Sequence, residues 1–316
     1  MAVAVDAPLR ERDAVEYRSR WEHVAFYLFV WVPLGAVVAG LALAAVGRTL
    51  SWLSLGLAVG FYVVTAHGVT IGYHRLLTHS SFTATRWLKI ALAIAGSMAI
   101  QGGVIRWVAD HRKHHQHSDG PMDPHSPWRF GNGPRQLAKG LYWAHTGWLF
   151  QREQAVKSAY APDLLADPDL VAIHRLFPLW VTISVLGPPA IALAVTGSWV
   201  AAASALLWAS AVRIFLLHHV TFAINSVCHV AGRRPFRTRD RSTNFWPLAV
   251  LSMGESWHNL HHADPTCARH GVDRGQIDSS ARLISWFEAA GWARDVKWPR
   301  ERRLERARRQ DDVSAA

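Results

Sequence analysis

A helical membrane protein with a large water-facing part is the fold class this sequence predicts, on three observations. Half of the 316 residues are hydrophobic and only 18% are charged, whereas a soluble domain carries about a quarter charged residues. Mean hydropathy is slightly positive. The charges are also clustered, leaving long uncharged runs. Together these exclude an ordinary soluble globule and a disordered chain. Two cysteines, Cys228 and Cys267, are too few for a disulfide scaffold or a four-thiolate metal site.

Four stretches suffice to cross a bilayer, which needs about 20 apolar residues. The first covers residues 24–47. The second covers 49–73, with His67 and tyrosines as its only ionisable groups. Residues 176–212 carry no charge and are too long for one span. Thr196-Gly197-Ser198 splits them, predicting spans at 176–195 and 199–222. Leu88–Ile100 is apolar but short and holds Lys89, so it reads as an interfacial or buried helix. The expected organisation is a tail at 1–23, one membrane-plus-cap unit at 24–295, and a basic, disordered tail at 296–316. The cap comprises 74–175 and 223–295.

Orientation follows from lysine and arginine. Only Arg48 lies in the short hairpin loops. Arg10, Arg12, Arg18 and Arg20 precede the first span, the cap is rich in both residue types, and Arg300, Arg302, Arg303, Arg306, Arg308 and Arg309 close the chain. Both termini and the cap are therefore expected on the cytoplasmic side of a bacterial inner membrane. No secretory leader is read before the first span. The net charge of +11 fits this bias and anionic lipid better than nucleic acid. Arg213, inside the fourth span, is expected to face the bundle in a structural role with partners toward the cytoplasm.

Of 18 histidines, eight form three groups: His74 with His79; His111, His114 and His115; and His258, His261 and His262. The last two groups have i, i+3, i+4 spacing, which puts their imidazoles on one helical face. Neutral imidazole is a ligand for iron, zinc, copper and nickel. Eight imidazoles exceed what one ion uses, so two metals are implied. Asn225 and His229 share a face at the end of the fourth helix, which leaves His229 open as a ninth ligand. His23, His67, His174 and His270 stand alone and read as ordinary core or surface residues.

The chain resembles the membrane-bound delta-9 fatty acid desaturases of the stearoyl-CoA type, in a bacterial form. The three groups match that family's HxxxxH, HxxHH and HxxHH boxes. The likeness extends to Gly-Val-Thr-Ile-Gly-Tyr-His-Arg at 68–75, Asp-His-Arg-Lys-His-His at 110–115 and Asp123-Pro-His125. It continues through Asn225-Ser-Val-Cys-His229 and Gly254-Glu-Ser-Trp-His-Asn-Leu-His-His262.

The resemblance implies one iron on His74, His79, His111, His115 and His261. A second would sit on His114, His229, His258 and His262, with Asn225 reaching it through a water. It implies O2 as co-substrate, since an unactivated methylene is beyond any side-chain acid or base. Electrons would come from an external NAD(P)H-dependent reductase, with or without a ferredoxin-type carrier. The sequence shows no dinucleotide fingerprint and no cysteine cluster for an iron–sulfur centre.

In the family's acyl tunnel, Gln101, Trp107 and Thr221 match residues that shape the bend, and Phe222 replaces a tryptophan. Tyr62 and Ala66 match its closed end. Asp110 and Arg152 match residues near the CoA headgroup. Ala109 and Glu153, however, stand where the animal enzymes carry basic residues, which leaves carrier protein and lipid headgroups beside the favoured CoA. The implied reaction is cis desaturation, at delta-9, of a C16–C18 acyl chain. A hydroxylase on the same scaffold and a non-catalytic metal transporter are the alternatives.

Overall fold

The computed structural model describes residues 16–45 and 50–308. Arg10, Arg12, the Arg48 turn and Arg309 fall outside the described residues. Four helices are long and apolar enough to cross a membrane: α1 (Arg20–Ala45), α2 (Trp52–Thr78), α6 (Phe177–Thr196) and α7 (Trp199–His229). Trp31, Val32, Leu41 and Val200 stand exposed on them, as a lipid-facing surface requires. The protein is an all-helical membrane fold with a helical cap.

The break between α6 and α7 falls where the sequence puts it. Gly197 adopts φ +64, the left-handed conformation that ends a helix without a Cβ clash. Ser198 then caps α7, its side chain accepting from the Ala201 N–H.

Both cap-bound spans run further than apolar residues alone indicate. The second was expected to end at 73 and the fourth at 222, yet helix continues to Thr78 and His229. Helical hydrogen bonds do not depend on side-chain polarity, so a count of apolar residues sees the membrane and not the end of the helix. The last part of α2, Gly68–Thr78, is wound as a π-helix, a form concentrated at functional sites. It packs against α3 (Arg86–Ser97), the short apolar segment, with Leu88, Leu92 and Ala93 buried. Their approach depends on small residues. A Cβ on Gly68 would lie 2.2 Å from the Gly96 nitrogen. Lys89 stays out of the interface, paired with Asp167 and with Asp169.

Arg213 is buried in the bundle, facing its interior as expected. Its Nε donates to the Ala209 carbonyl, and Nη2 donates to the Ser184 carbonyl and hydroxyl at 2.9 and 3.0 Å. A cation at this depth is held by helix carbonyls within reach rather than by stretching outward.

The cap is built from α4 (Val104–His117), α5 (Pro134–His145), α8 (His258–Ala263) and α9 (Ser279–Ala289). Two short antiparallel pairs tie it together: β1 (Glu16–Tyr17) with β3 (Glu153–Gln154), and β2 (Thr83–Ala84) with β4 (Ala293–Arg294). The described residues of both terminal segments are docked on the cap. Residues 16–19 lie along the cap, where the Arg18 N–H donates to the Arg152 carbonyl at 2.8 Å. The segment expected to be disordered from 296 instead forms α10 (Glu301–Ala307). Its Ala307 carbonyl accepts from the Arg237 N–H, and Arg308 pairs with Asp273.

Candidate metal centre

The π-wound end of α2, the helix α4, the end of α7 and the short helix α8 converge above the bundle and bring nine imidazoles together. Two groups form. His74, His79, His111, His115 and His261 make one; His114, His229, His258 and His262 make the other. Within each, the ligand-type nitrogens all lie within 4.8 Å of one another. Two ligands on opposite sides of an ion, each at about 2.1 Å, stand about 4.2 Å apart. Each group is thus able to hold one metal ion. The groups share a wall, with the His115 and His262 rings stacked at 4.5 Å.

Four of the imidazoles are oriented by carboxylates. Nδ1 of His74 meets Glu255 at 2.6 Å, His114 meets Asp123 at 2.9 Å, His229 meets Asp119 at 3.0 Å and His262 meets Asp240 at 2.7 Å. An ionised carboxylate only accepts, so each Nδ1 carries the proton and each Nε2 offers a lone pair inward. Burial alone would raise all four carboxyls. The neighbouring imidazoles, and Arg75 beside Glu255, outweigh it and hold each below its ordinary value. His79, His111, His115, His258 and His261 are pushed well below the usual imidazole range, first by burial and then by neighbouring imidazoles. His262 is pushed to about 4, with burial again the main cause. Neutral imidazole is the ligating form.

The nitrogens that result are poorly matched to each other. The Nε2 atoms of His79, His114 and His229 are buried without any partner. Nε2 faces Nε2 at 3.1 Å between His74 and His261, and at 3.0 Å between His258 and His262. Buried lone pairs left unmatched are costly, and a cation at the centre of each group satisfies all of them. Charge agrees. Once Asp278 is set against the buried Arg75, the four orienting carboxylates match two divalent ions.

An apolar cavity runs from the cap into the bundle against this centre. Its wall includes His74, His111 and His258, together with Phe26, Phe29, Ala66, Val69, Leu217 and Val220. Of the positions singled out from the sequence, Ala66, Gln101, Trp107, Asp110, Thr221, Phe222 and Asn225 line it. The Gln101 amide donates to Thr221 Oγ1 at 2.9 Å, joining α7 to the turn before α4. Trp107 stacks on His111 at 4.9 Å. Asp110 accepts from the Ala155 N–H at 3.1 Å, and burial raises its carboxyl. Tyr62 and Arg152 are not in the wall. The Tyr62 hydroxyl donates to the carbonyl of Leu251, which is, and Arg152 donates to the Arg18 carbonyl.

Sequence reasoning missed several members of the site. His270, taken as an isolated residue, meets Glu255 at 3.3 Å, and its ring lies 4.6 Å from that of His261. Glu255 and Asp123 sat within conspicuous motifs without a role. Asp119 and Asp240 had no local signal, since Asp240 lies in an arginine-rich stretch that reads as surface.

A helical membrane bundle, two imidazole clusters able to bind metal and an apolar cavity against them narrow the identity. The sequence profile of the family described as fatty acid desaturase matches residues 50–276. The chain belongs to that family. Among its relatives, the hex-5-enoyl-[acyl-carrier protein] acetylenase of Moorena producens is 36% identical over 89% of this chain and 88% of its own length. The sn-1 stearoyl-lipid 9-desaturase of Anabaena variabilis is 35% identical over 88% and 93%. The acyl-CoA C20 Delta5-desaturase of Anemone leveillei is 35% identical over 80% and 77%. These desaturase relatives act on lipid or acyl substrates, and the family is a di-iron one.

Proposed function

We propose that this desaturase introduces a cis double bond at the delta-9 position of a saturated C16–C18 acyl chain. The observation that carries the reading is the cavity: apolar along its depth, and walled by His74 and His111 of one cluster and His258 of the other. In this reading His74, His79, His111, His115 and His261 hold one iron. His114, His229, His258 and His262 hold the second, with Asn225 acting through a water. When bound, the irons supply the O2-dependent oxidation that an unactivated methylene requires.

The chain's own residues do the rest. Glu255, Asp123, Asp119 and Asp240 keep the inner nitrogens free of protons and the rings in place. Val69, Leu217 and Val220 keep water from the acyl chain. The bridge from Gln101 to Thr221 shapes the wall beside the centre, and Ala66, one turn from Tyr62, leaves room for the methyl end. Electrons arrive from a separate NAD(P)H-dependent reductase, with or without a ferredoxin-type carrier. The lysine- and arginine-rich cap supports a cytoplasmic location for it and for both termini.

The deciding experiment is lipid analysis of a desaturase-deficient bacterial host expressing this protein. Delta-9 monounsaturated chains should appear, and the His262→Ala variant should not produce them. Hydroxylated chains, or no new product from a well-expressed protein, would refute the reading. Purified protein given NADPH and O2 alone should be inert until a reductase is added. For chain length, Ala66→Leu fills the inner part of the cavity. It should shift the preference between 18- and 16-carbon substrates by about tenfold toward the shorter, with bond position unchanged. Gas chromatography of products from mixed substrates reads both.

A further inference from the structure

The cavity touches the metal centre at His74, His111 and His258. His229 and His262 stand outside its wall, and both are backed by one loop. Residues 233–241 follow α7, and Asp240 of this loop holds Nδ1 of His262 at 2.7 Å. Asp119, which holds His229 at 3.0 Å, accepts from the Arg241 backbone N–H at 2.7 Å. Both carboxylates touch the surface, their side chains 7% and 9% exposed for Asp119 and Asp240. A single hydrogen-bonded carboxylate thus separates each of these imidazoles from solvent, on a side of the centre that the cavity does not reach.

The loop carries five arginines. Arg234 is engaged inside it, donating to the carbonyls of Ser242 and Asp240 and to Thr238 Oγ1. Arg233, Arg237, Arg239 and Arg241 are exposed. Arg241 lies over the Trp128 ring at 4.0 Å and donates to Asn132. Among the described residues none of these four pairs with a carboxylate, unlike Arg86 and Arg112, which meet Asp169 and Asp163. Helix α10 is tied alongside, the Arg237 N–H donating to the Ala307 carbonyl. Residues 300–308 bring five more arginines against Glu301 and Glu305. Two of those arginines, Arg303 and Arg308, pair with Asp264 and Asp273. With Asp119 and Asp240 included, ten cations stand among six carboxylates.

We infer that this arginine face, the loop with α10 beside it, is the docking surface of an acidic one-electron carrier protein, and that electrons enter the centre behind His262 and His229. The inference rests on the desaturase reading and names the surface and the charge of its electron donor. Desaturation takes two hydrogens from the acyl chain; O2 accepts them with two further protons and two electrons, and two waters leave. A one-electron carrier is oxidised once per visit, so it must dock and depart twice in each turnover. Complementary charge suits that duty, because it speeds encounter without an extensive apolar contact to slow release. The loop offers no such contact, its one aromatic side chain, Phe236, being fully buried. An anionic bilayer is the rival partner. It fits less well, since the cavity leads from the centre into the bundle at Ala66 and Leu217, and the loop backs imidazoles that this cavity does not touch.

Binding tests this without turnover. The probe is an acidic plant-type ferredoxin, and its binding to the full-length, metal-loaded protein in nanodiscs is read by surface plasmon resonance. Affinity should fall at least about tenfold between roughly 0.05 and 0.3 M salt, as exposed charges are screened. Arg237→Glu combined with Arg239→Glu should weaken it at low salt by at least about tenfold, chiefly through slower association. Arg282→Glu, the same charge change at an exposed position of α9, should alter it by less than about twofold. Unchanged metal content by elemental analysis reports that the centre is intact. Arg237→Gln with Arg239→Gln, which removes charge without reversing it, should give an intermediate loss and serves if the reversal disturbs the loop.

No binding at low salt, or an affinity indifferent to salt, would overturn the proposal. So would equal losses in the double variant and in Arg282→Glu. Binding that persists in nanodiscs of neutral lipid but collapses in anionic ones would assign the arginines to lipid headgroups and overturn it too. Failure of the desaturase reading looks different: protein reduced with dithionite and given O2 and acyl substrates yields no unsaturated product, whatever its affinity for ferredoxin.

Discussion

The two imidazole clusters share a wall but are held in different ways. In the five-histidine group only His74 rests on a carboxylate, and that carboxylate, Glu255, also carries the buried Arg75 and meets His270. The other rings are held by contact with one another and by Trp107 stacked on His111. In the four-histidine group three of the four rings have a carboxylate each. One cluster is positioned by packing and a single shared acid, the other by dedicated hydrogen bonds. The cluster with fewer imidazoles has more of them locked from behind.

This contrast has measurable consequences, the largest at the ligands. His114→Ala removes one of four imidazoles and should lose one metal equivalent by elemental analysis, with turnover reduced more than about a hundredfold. His79→Ala leaves four imidazoles in its cluster, so both metal equivalents should be retained while turnover still falls. If His79→Ala empties its site as thoroughly as His114→Ala, the number of ligands does not distinguish the clusters.

Among the acids, Asp240→Asn removes a dedicated support and should weaken metal retention by about 10- to 100-fold against a chelator, with little change in thermal unfolding. Glu255→Gln should do the reverse. Four other imidazoles remain in its cluster, but the buried Arg75 loses one of its two carboxylates. Breaking a buried pair costs about 3 to 5 kcal/mol, so the loss should appear as a lowered unfolding temperature in detergent. Equal metal loss in both variants would erase the contrast.

The smallest effect belongs to packing. Trp107→Leu removes the ring stacked on His111 and should lower turnover only a few-fold, stacked rings contributing about 0.5 to 1.5 kcal/mol. A loss as great as that of His114→Ala would make Trp107 far more than a support.

The membrane spans were legible because burial in lipid leaves an unmistakable run, and the Gly197 turn because a helix end asks for a positive φ. The histidine groups were legible because i, i+3, i+4 spacing aligns side chains within one helix. What joins separate stretches was not. Asp119 reaches His229 across 110 residues, and no local pattern announces such a pairing. His270 looked solitary because its companions, Glu255 and His74, are close to it only in space. The segment from 296 was misread for a related reason: its arginine run reads as a disordered tail, but Arg308 pairs with Asp273 of the cap.

Helix α2 runs from Trp52 to Thr78 without a break, and both Ala66 and His74 on it face the same cavity. Eight residues of continuous helix separate them, most of them in the π-wound stretch. On the proposed function, a single helix would therefore carry both the oxidising station and a mark further along the chain's path. Distance along the substrate would be gauged against an object whose spacing is set by backbone hydrogen bonds and not by the looser contacts between helices. Whatever tilt the bundle adopts in a thicker or thinner bilayer, the two marks move together, and the gauge keeps its length.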